Sequence, residues 1–130
     1  MNLNEPLHDE TQAIIGAAFE VINTLGHGLL EKPYENALCV EFTARGIPFV
    51  QQRRFEIQYK NANVGLYIPD MIAFDKVIVE AKVVENITDQ DLGQMMNYLR
   101  IAGLAVGLIL NFKRPRLEFR RVVMSENLAR

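Results

Sequence analysis

Two short apolar runs that carry charges constrain this chain most: GLYIPDMIAF and, a few residues on, KVIVEAKVV. β-Branched and apolar residues dominate both, and turn-forming residues bound them, so both read as strands. Inside them lie Asp70, Glu80 and Lys82, with nine residues between the two carboxylates. A charge in a buried strand is costly unless it is paired or holds a metal. Side chains alternate along a strand, so Glu80 and Lys82 share a face. Leu66, Ile68, Asp70, Ile72 and Phe74 share one face if the first run is one unbroken strand. With Phe74, Asp75 and Lys76 as the connection, pairing positions sum to 150, which sets Asp70 opposite Glu80 with Lys82 diagonally adjacent. A two-residue loop would send the carboxylates to opposite faces. Two carboxylates and a lysine gathered this way point to a metal-binding, phosphate-cleaving site.

Around this pair the chain reads α, α, β, β, β, α, β, β. Apolar residues at three- and four-residue spacing predict a helix from His8 to Leu25, ended by Gly26 and Gly28. A second helix starts near Pro33 and ends at Arg45, with Gly46 as its stop. RRFEIQYK is an alternating strand, and KNANVG is a turn. Thr88 is the cap of a third helix, with Asp91 in the capping-box position and Gly103 at its end. LAVGLILNF is a buried strand and RLEFRRVVM a more exposed one. The order fits a mixed central sheet flanked by helices, of the α/β or α+β class, in a single domain over residues 1–130.

The net charge of −2 argues against non-specific coating of nucleic acid. The charge is uneven, however. Residues 1–50 hold seven acidic and two basic side chains, whereas residues 51–130 hold nine acidic and twelve basic. Arg53, Arg54, Lys113, Arg114, Arg116, Arg120 and Arg121 form the basic excess. They read either as a solvated strand edge or as a surface for a phosphate backbone. Cys39 is the only cysteine and the N-terminus is polar, which fits a reducing cytoplasm. No apolar stretch is long enough for a membrane helix, so no membrane partner is expected.

Glu31 and Glu35 lie four apart on one helical face. They read either as an acidic first turn that favours the helix dipole or as a glutamate reaching the carboxylate pair. Gln94 and Tyr98, also four apart, are placed to hydrogen-bond a substrate or Lys82, or one another. His8 and His27 have no partners at metal-ligand spacing, and the chain has no Gly-rich phosphate loop.

GLLEKPYENAL, IPDMIAFDKVIVEAK and QMMNYLRIAGLAVGLILNF together resemble the PD-(D/E)XK nuclease superfamily, and within it the small GxxExxxxE-type family. The first segment is also similar to the start of archaeal Holliday junction resolvases. Gln94 and Tyr98 resemble the Q-x-x-x-Y motif of RecB-type nucleases. Counted from Gly28, the family label gives Glu31, and its second glutamate falls on Asn36, beside Glu35. Glu35 is the first choice for the helical site residue and Glu31 the second.

The resemblance implies a restriction-endonuclease-like core and metal-dependent hydrolysis of DNA. Asp70 and Glu80 would bind Mg²⁺ or Mn²⁺, with the Ala81 carbonyl as a third ligand. Glu35 would hold a water on the ion or help bind a second ion. Lys82 would orient the attacking water and stabilise charge on the phosphate. Gln94 would position Lys82 or the nucleic acid. Tyr98, Arg53, Arg54, Arg114 and Arg116 would contact the strand, and a homodimer would suit two strands. The alternative is a catalytically inactive nuclease-fold protein that binds nucleic acid or a protein partner.

Overall fold

A computed structural model describes residues 5–124. Residues 1–4 and 125–130 lie outside it, and with them part of the polar N-terminus and both ends of the expected 1–130 domain. The elements are α1 (His8–Leu25), α2 (Glu31–Arg45), β1 (Phe49–Gln51), β2 (Phe55–Tyr59), β3 (Ala62–Tyr67), β4 (Met71–Ala73), β5 (Val77–Lys82), α3 (Asp89–Ala102), β6 (Val106–Asn111) and β7 (Glu118–Val123). A five-stranded mixed sheet runs in the order β1-β4-β5-β6-β7, and β2 and β3 form a separate hairpin. β5 and β6 are parallel, joined across the sheet by α3, and the other pairs are antiparallel. This is the mixed sheet flanked by helices that the element order implies.

The three helices begin and end close to where the sequence places them. Gly46 and Gly103 adopt the left-handed conformation that stops α2 and α3. At the start of α3, Thr88 and Asp91 form the reciprocal capping box. Two strand assignments change. The short edge strand β1 was not anticipated, and the first apolar run is not one strand. Pro69 has no N–H to give a ladder, so the run breaks there: β3 leaves to pair with β2, and β4 begins at Met71. Residues Ala62–Val64 of the expected turn belong to β3.

The sheet is covered on both faces, which is why β5 and β6 read as nearly continuous apolar runs. Val77, Val79, Ala81, Val106, Leu108 and Leu110 pack towards α1 and α2. Ile72, Ile78 and Ile109 pack on the other face, with Met95 and Leu99 of α3 and Tyr67 of the hairpin. By alternation Glu80 and Lys82 fall on this second face.

Two packing details fix the surroundings of the carboxylates. The buried Tyr34 ring stacks on Phe112 at 4.6 Å between centroids. Its hydroxyl donates to the Gly26 carbonyl at 2.7 Å and accepts from the Leu29 N–H at 3.2 Å. That clamps the α1–α2 connection and sets where α2, and so Glu35, begins. On the other face, a Cβ at Gly107 would lie 2.5 Å from the Met95 sulfur. A side chain at Gly107 would therefore displace the flexible Met95 side chain, which packs α3 on this face of the sheet.

Candidate active site

β4 pairs with β5 through Met71↔Val79, Ile72↔Ile78 and Ala73↔Val77, all summing to 150. The connection is therefore the expected three residues, and Asp70, just before β4, comes to Glu80. Beyond β4 the Ala81 N–H has no strand partner on that side. The Asp70 side chain takes its place, accepting that N–H at 2.9 Å. The two carboxyl groups thus stand close enough to act on one another. Tyr67 donates its hydroxyl to Glu80 at 2.7 Å.

Burial and mutual repulsion disfavour the doubly ionised pair. The Glu80 carboxyl is pushed up to about 8, first by burial and then by the charge of Asp70, with the Tyr67 hydroxyl and Lys82 acting against the rise. Asp70 is also raised, chiefly by burial, while the Ala81 N–H opposes the shift and the charge of Glu35 adds to it. Among the described residues no basic side chain lies within ion-pair distance of either carboxylate. The Lys82 ammonium is instead 4.0 Å from Asp91, and Lys32 pairs with Glu35 at 3.0 Å.

Glu35 is buried on α2. Besides Lys32, its carboxylate accepts the side-chain amides of Gln51 at 3.3 Å and Gln52 at 3.4 Å. Glu31 is exposed; its carboxyl is raised by partial burial and by the nearby charge of Asp70, against the pull of Lys82. The shared helical face thus turns both glutamates towards Asp70. On the opposite side, Lys82, Glu80, Gln94 and Tyr98 line one cleft of about 400 Å³. The hydrogen bond of Gln94 goes to Tyr98, and the partner of Lys82 is Asp91 rather than Gln94.

The basic residues divide into two groups. Arg53 pairs with Asp75 at 3.7 Å and lies over the Phe55 ring, while Arg54 is exposed on the β1–β2 connection. Arg114 pairs with Glu85 at 3.3 Å, and Arg116 is exposed near Glu118. Because Lys82 pairs with Asn111, the 113–116 loop leaves the sheet at the end where Lys82 stands. These ion pairs are exposed and weak, so an incoming phosphate can compete for the arginines.

Sequence reasoning missed Tyr67, Asp91 as the partner of Lys82, and the Gln51/Gln52 cradle. Strict alternation puts Tyr67 and Asp70 on opposite faces; the break at Pro69 resets the phase and sends Tyr67 to Glu80. Asp91 was legible as a cap. One of its oxygens serves the capping box and the other faces Lys82.

The donor set suits a hard divalent cation. Asp70 and Glu80 offer oxygen only, repel one another, and among the described residues have no basic side chain within ion-pair distance. Among the described residues no group of three or more His, Cys, Asp or Glu side chains is spaced to hold a metal. Mg²⁺ is commonly held by only one or two carboxylates, with waters completing the shell.

The raised pair carries a pH prediction. A carboxyl whose folded pKa lies above its unfolded value stabilises the fold fully below the unfolded value, and that contribution is lost as pH rises through the folded one. For Glu80 the window runs from 4.5 to about 8. In EDTA the melting temperature falls across this window, and Glu80→Gln flattens the fall. An equal fall in the variant would contradict the electrostatics described above. Added Mg²⁺ raises the melting temperature more at the alkaline end than at the acid end.

A family model described as the PD-(D/E)XK nuclease superfamily matches residues 8–122. No curated protein matches the chain. Among solved structures, the crystal structure of SSO0001 is similar in fold, with a TM-score of 0.55 and 12% sequence identity over 91% of this chain. The chain spans 59% of the length of that protein. Among the described residues, no helix is long and apolar enough to cross a membrane.

Proposed function

This chain belongs to the PD-(D/E)XK nuclease superfamily, and from that premise we propose that it hydrolyses phosphodiester bonds of DNA with the help of Mg²⁺ or Mn²⁺. The observation that carries this reading is the Asp70–Glu80 pair: two half-buried carboxyls brought together by the β4–β5 register, with no basic side chain of the described residues in ion-pair contact, and Glu80 two residues from Lys82 on the same face.

Asp70 and Glu80 would hold the ion, with the Ala81 carbonyl as a further oxygen donor, and Glu35 would hold a water on the ion or help bind a second one. When bound, the ion supplies Lewis-acid polarisation of the phosphate and lowers the pKa of water. Lys82, steadied by Asp91, orients the attacking water and stabilises negative charge on the phosphate. Glu35 is preferred to Glu31 because its carboxylate is buried and fixed by Gln51 and Gln52. A helical glutamate on α2 is the feature that resembles the GxxExxxxE-type family, whose label counted from Gly28 falls on Glu31 and on Asn36 beside Glu35. Gln94 and Tyr98 line the approach, while Arg53, Arg54, Arg114 and Arg116 serve as non-specific phosphate contacts. The same reading takes residues 1–130 as one cytoplasmic domain, with two copies acting on two strands.

A second reading, a nuclease fold that binds nucleic acid or a protein without cutting, draws on one observation. Glu35 is already engaged by Lys32, Gln51 and Gln52, which leaves two carboxylates facing each other. Supercoiled plasmid and a set of single-stranded and branched oligonucleotides, incubated with Mg²⁺, Mn²⁺ or EDTA, decide between the two. The nuclease reading expects nicked or linear products with either metal and none in EDTA. A folded protein that cuts no substrate with either metal would leave the binding reading in its place.

A further inference from the structure

We infer that the cleft beside Glu80 and Lys82 receives one unpaired nucleotide of the substrate strand, so that the protein acts on single-stranded or frayed DNA in preference to intact duplex. This deepens the nuclease reading above and rests on it.

The cleft has two unlike walls. α3 provides Gln94, Met95 and Tyr98; the β2–β3 hairpin provides Ile57 and Leu66, and Ile68 follows β3. The hairpin is not part of the main sheet, and an isolated two-stranded hairpin is marginal in water. A ladder of rings anchors it: Phe55 stacks on Tyr67 at 6.3 Å, and Tyr67 on Tyr98 at 3.7 Å. So held, it presents Leu66 and Ile68 to solvent at 43% and 36% exposure, facing the cleft.

The chemistry of the lining restricts the occupant. Lys82 is the one basic residue of the lining, and it lies with Glu80 and Asp91. The exposed arginines 53, 54, 114 and 116 are absent from the lining. The cleft therefore suits a single flat, largely apolar group joined to the phosphate that Glu80 and Lys82 act upon. A nucleobase meets those terms. Its faces pack on aliphatic and aromatic side chains irrespective of sequence, and the Gln94 amide can both donate to and accept from its edge. A space of about 400 Å³ takes one such unit. In a duplex the base faces are hidden in the stack, so a base enters only if it is already unpaired or is extruded at a cost.

The test uses a short oligonucleotide with 2-aminopurine in place of one adenine, as a single strand and as a blunt duplex of the same sequence. Ca²⁺ replaces Mg²⁺ to hold the DNA uncut. The single strand is expected to bind about tenfold more tightly than the duplex, with quenched 2-aminopurine fluorescence, as stacking of one base allows. Leu66→Asp, at an exposed position, is expected to abolish that preference while duplex affinity stays the same; Ile68→Ser provides a second, milder variant. Equal binding of the two forms, or equal weakening of both by the variants, overturns the inference. Cleavage of the same oligonucleotides in Mg²⁺ separates the two readings. Equal cutting of single strand and duplex overturns the inference and leaves the nuclease standing. Leu66-dependent single-strand binding without cleavage supports the cleft as a base site and overturns the nuclease reading.

Discussion

Asp70→Asn is expected to lower metal-dependent DNA cleavage by about a thousandfold or more, the scale on which losing an ion that activates both water and phosphate is felt. The same substitution should leave the metal-free protein folded and somewhat more stable at neutral pH. Both effects follow from one arrangement. Asp70 accepts the Ala81 N–H at 2.9 Å, which an asparagine carbonyl can also do, so the backbone contact survives. What disappears is the negative charge that raises the Glu80 carboxyl. Removing one of two half-buried, repelling carboxylates relieves the fold and removes half of the donor pair. Cleavage rates on plasmid and melting temperatures in EDTA, taken on the same preparations, check the two directions together. A variant that is both less stable in EDTA and only slightly less active would mean that Asp70 is a structural residue.

Lys82→Ala is expected to reduce cleavage by about 10²- to 10⁴-fold, the range for a group that assists proton transfer and phosphate charge. The lysine is half-buried and faces Asp91 rather than the carboxylate pair. Its loss removes no donor, so metal affinity stays close to that of the wild type. The two substitutions are therefore separable: Asp70→Asn loses the ion and the reaction, Lys82→Ala the reaction alone. Unchanged activity in both would sink the assignment of these residues.

Much of this was legible in the chain because it depends on local patterns. The helix ends follow from Gly46, Gly103 and the Thr88–Asp91 box. The approach of Asp70 to Glu80 follows from loop length and the period of two along a strand. The misreadings share a cause. Periodicity alone carries the first apolar run straight through Pro69, although proline cannot give a ladder hydrogen bond. The break there creates a hairpin outside the main sheet and turns Tyr67 to Glu80. Likewise, Asp91 is readable as a cap, but its second oxygen meets Lys82 only through the packing of α3 on the sheet. Contacts made across elements are written in packing, which short sequence windows do not display.

Calorimetric titration of Mn²⁺ into the metal-free protein tests the central claim, that Asp70 and Glu80 are built to share a divalent ion, most directly. Saturable binding is expected for the wild type and for Lys82→Ala, and its loss in Asp70→Asn and Glu80→Gln. Binding that survives in both carboxylate variants, or a wild type that binds no ion, would contradict it.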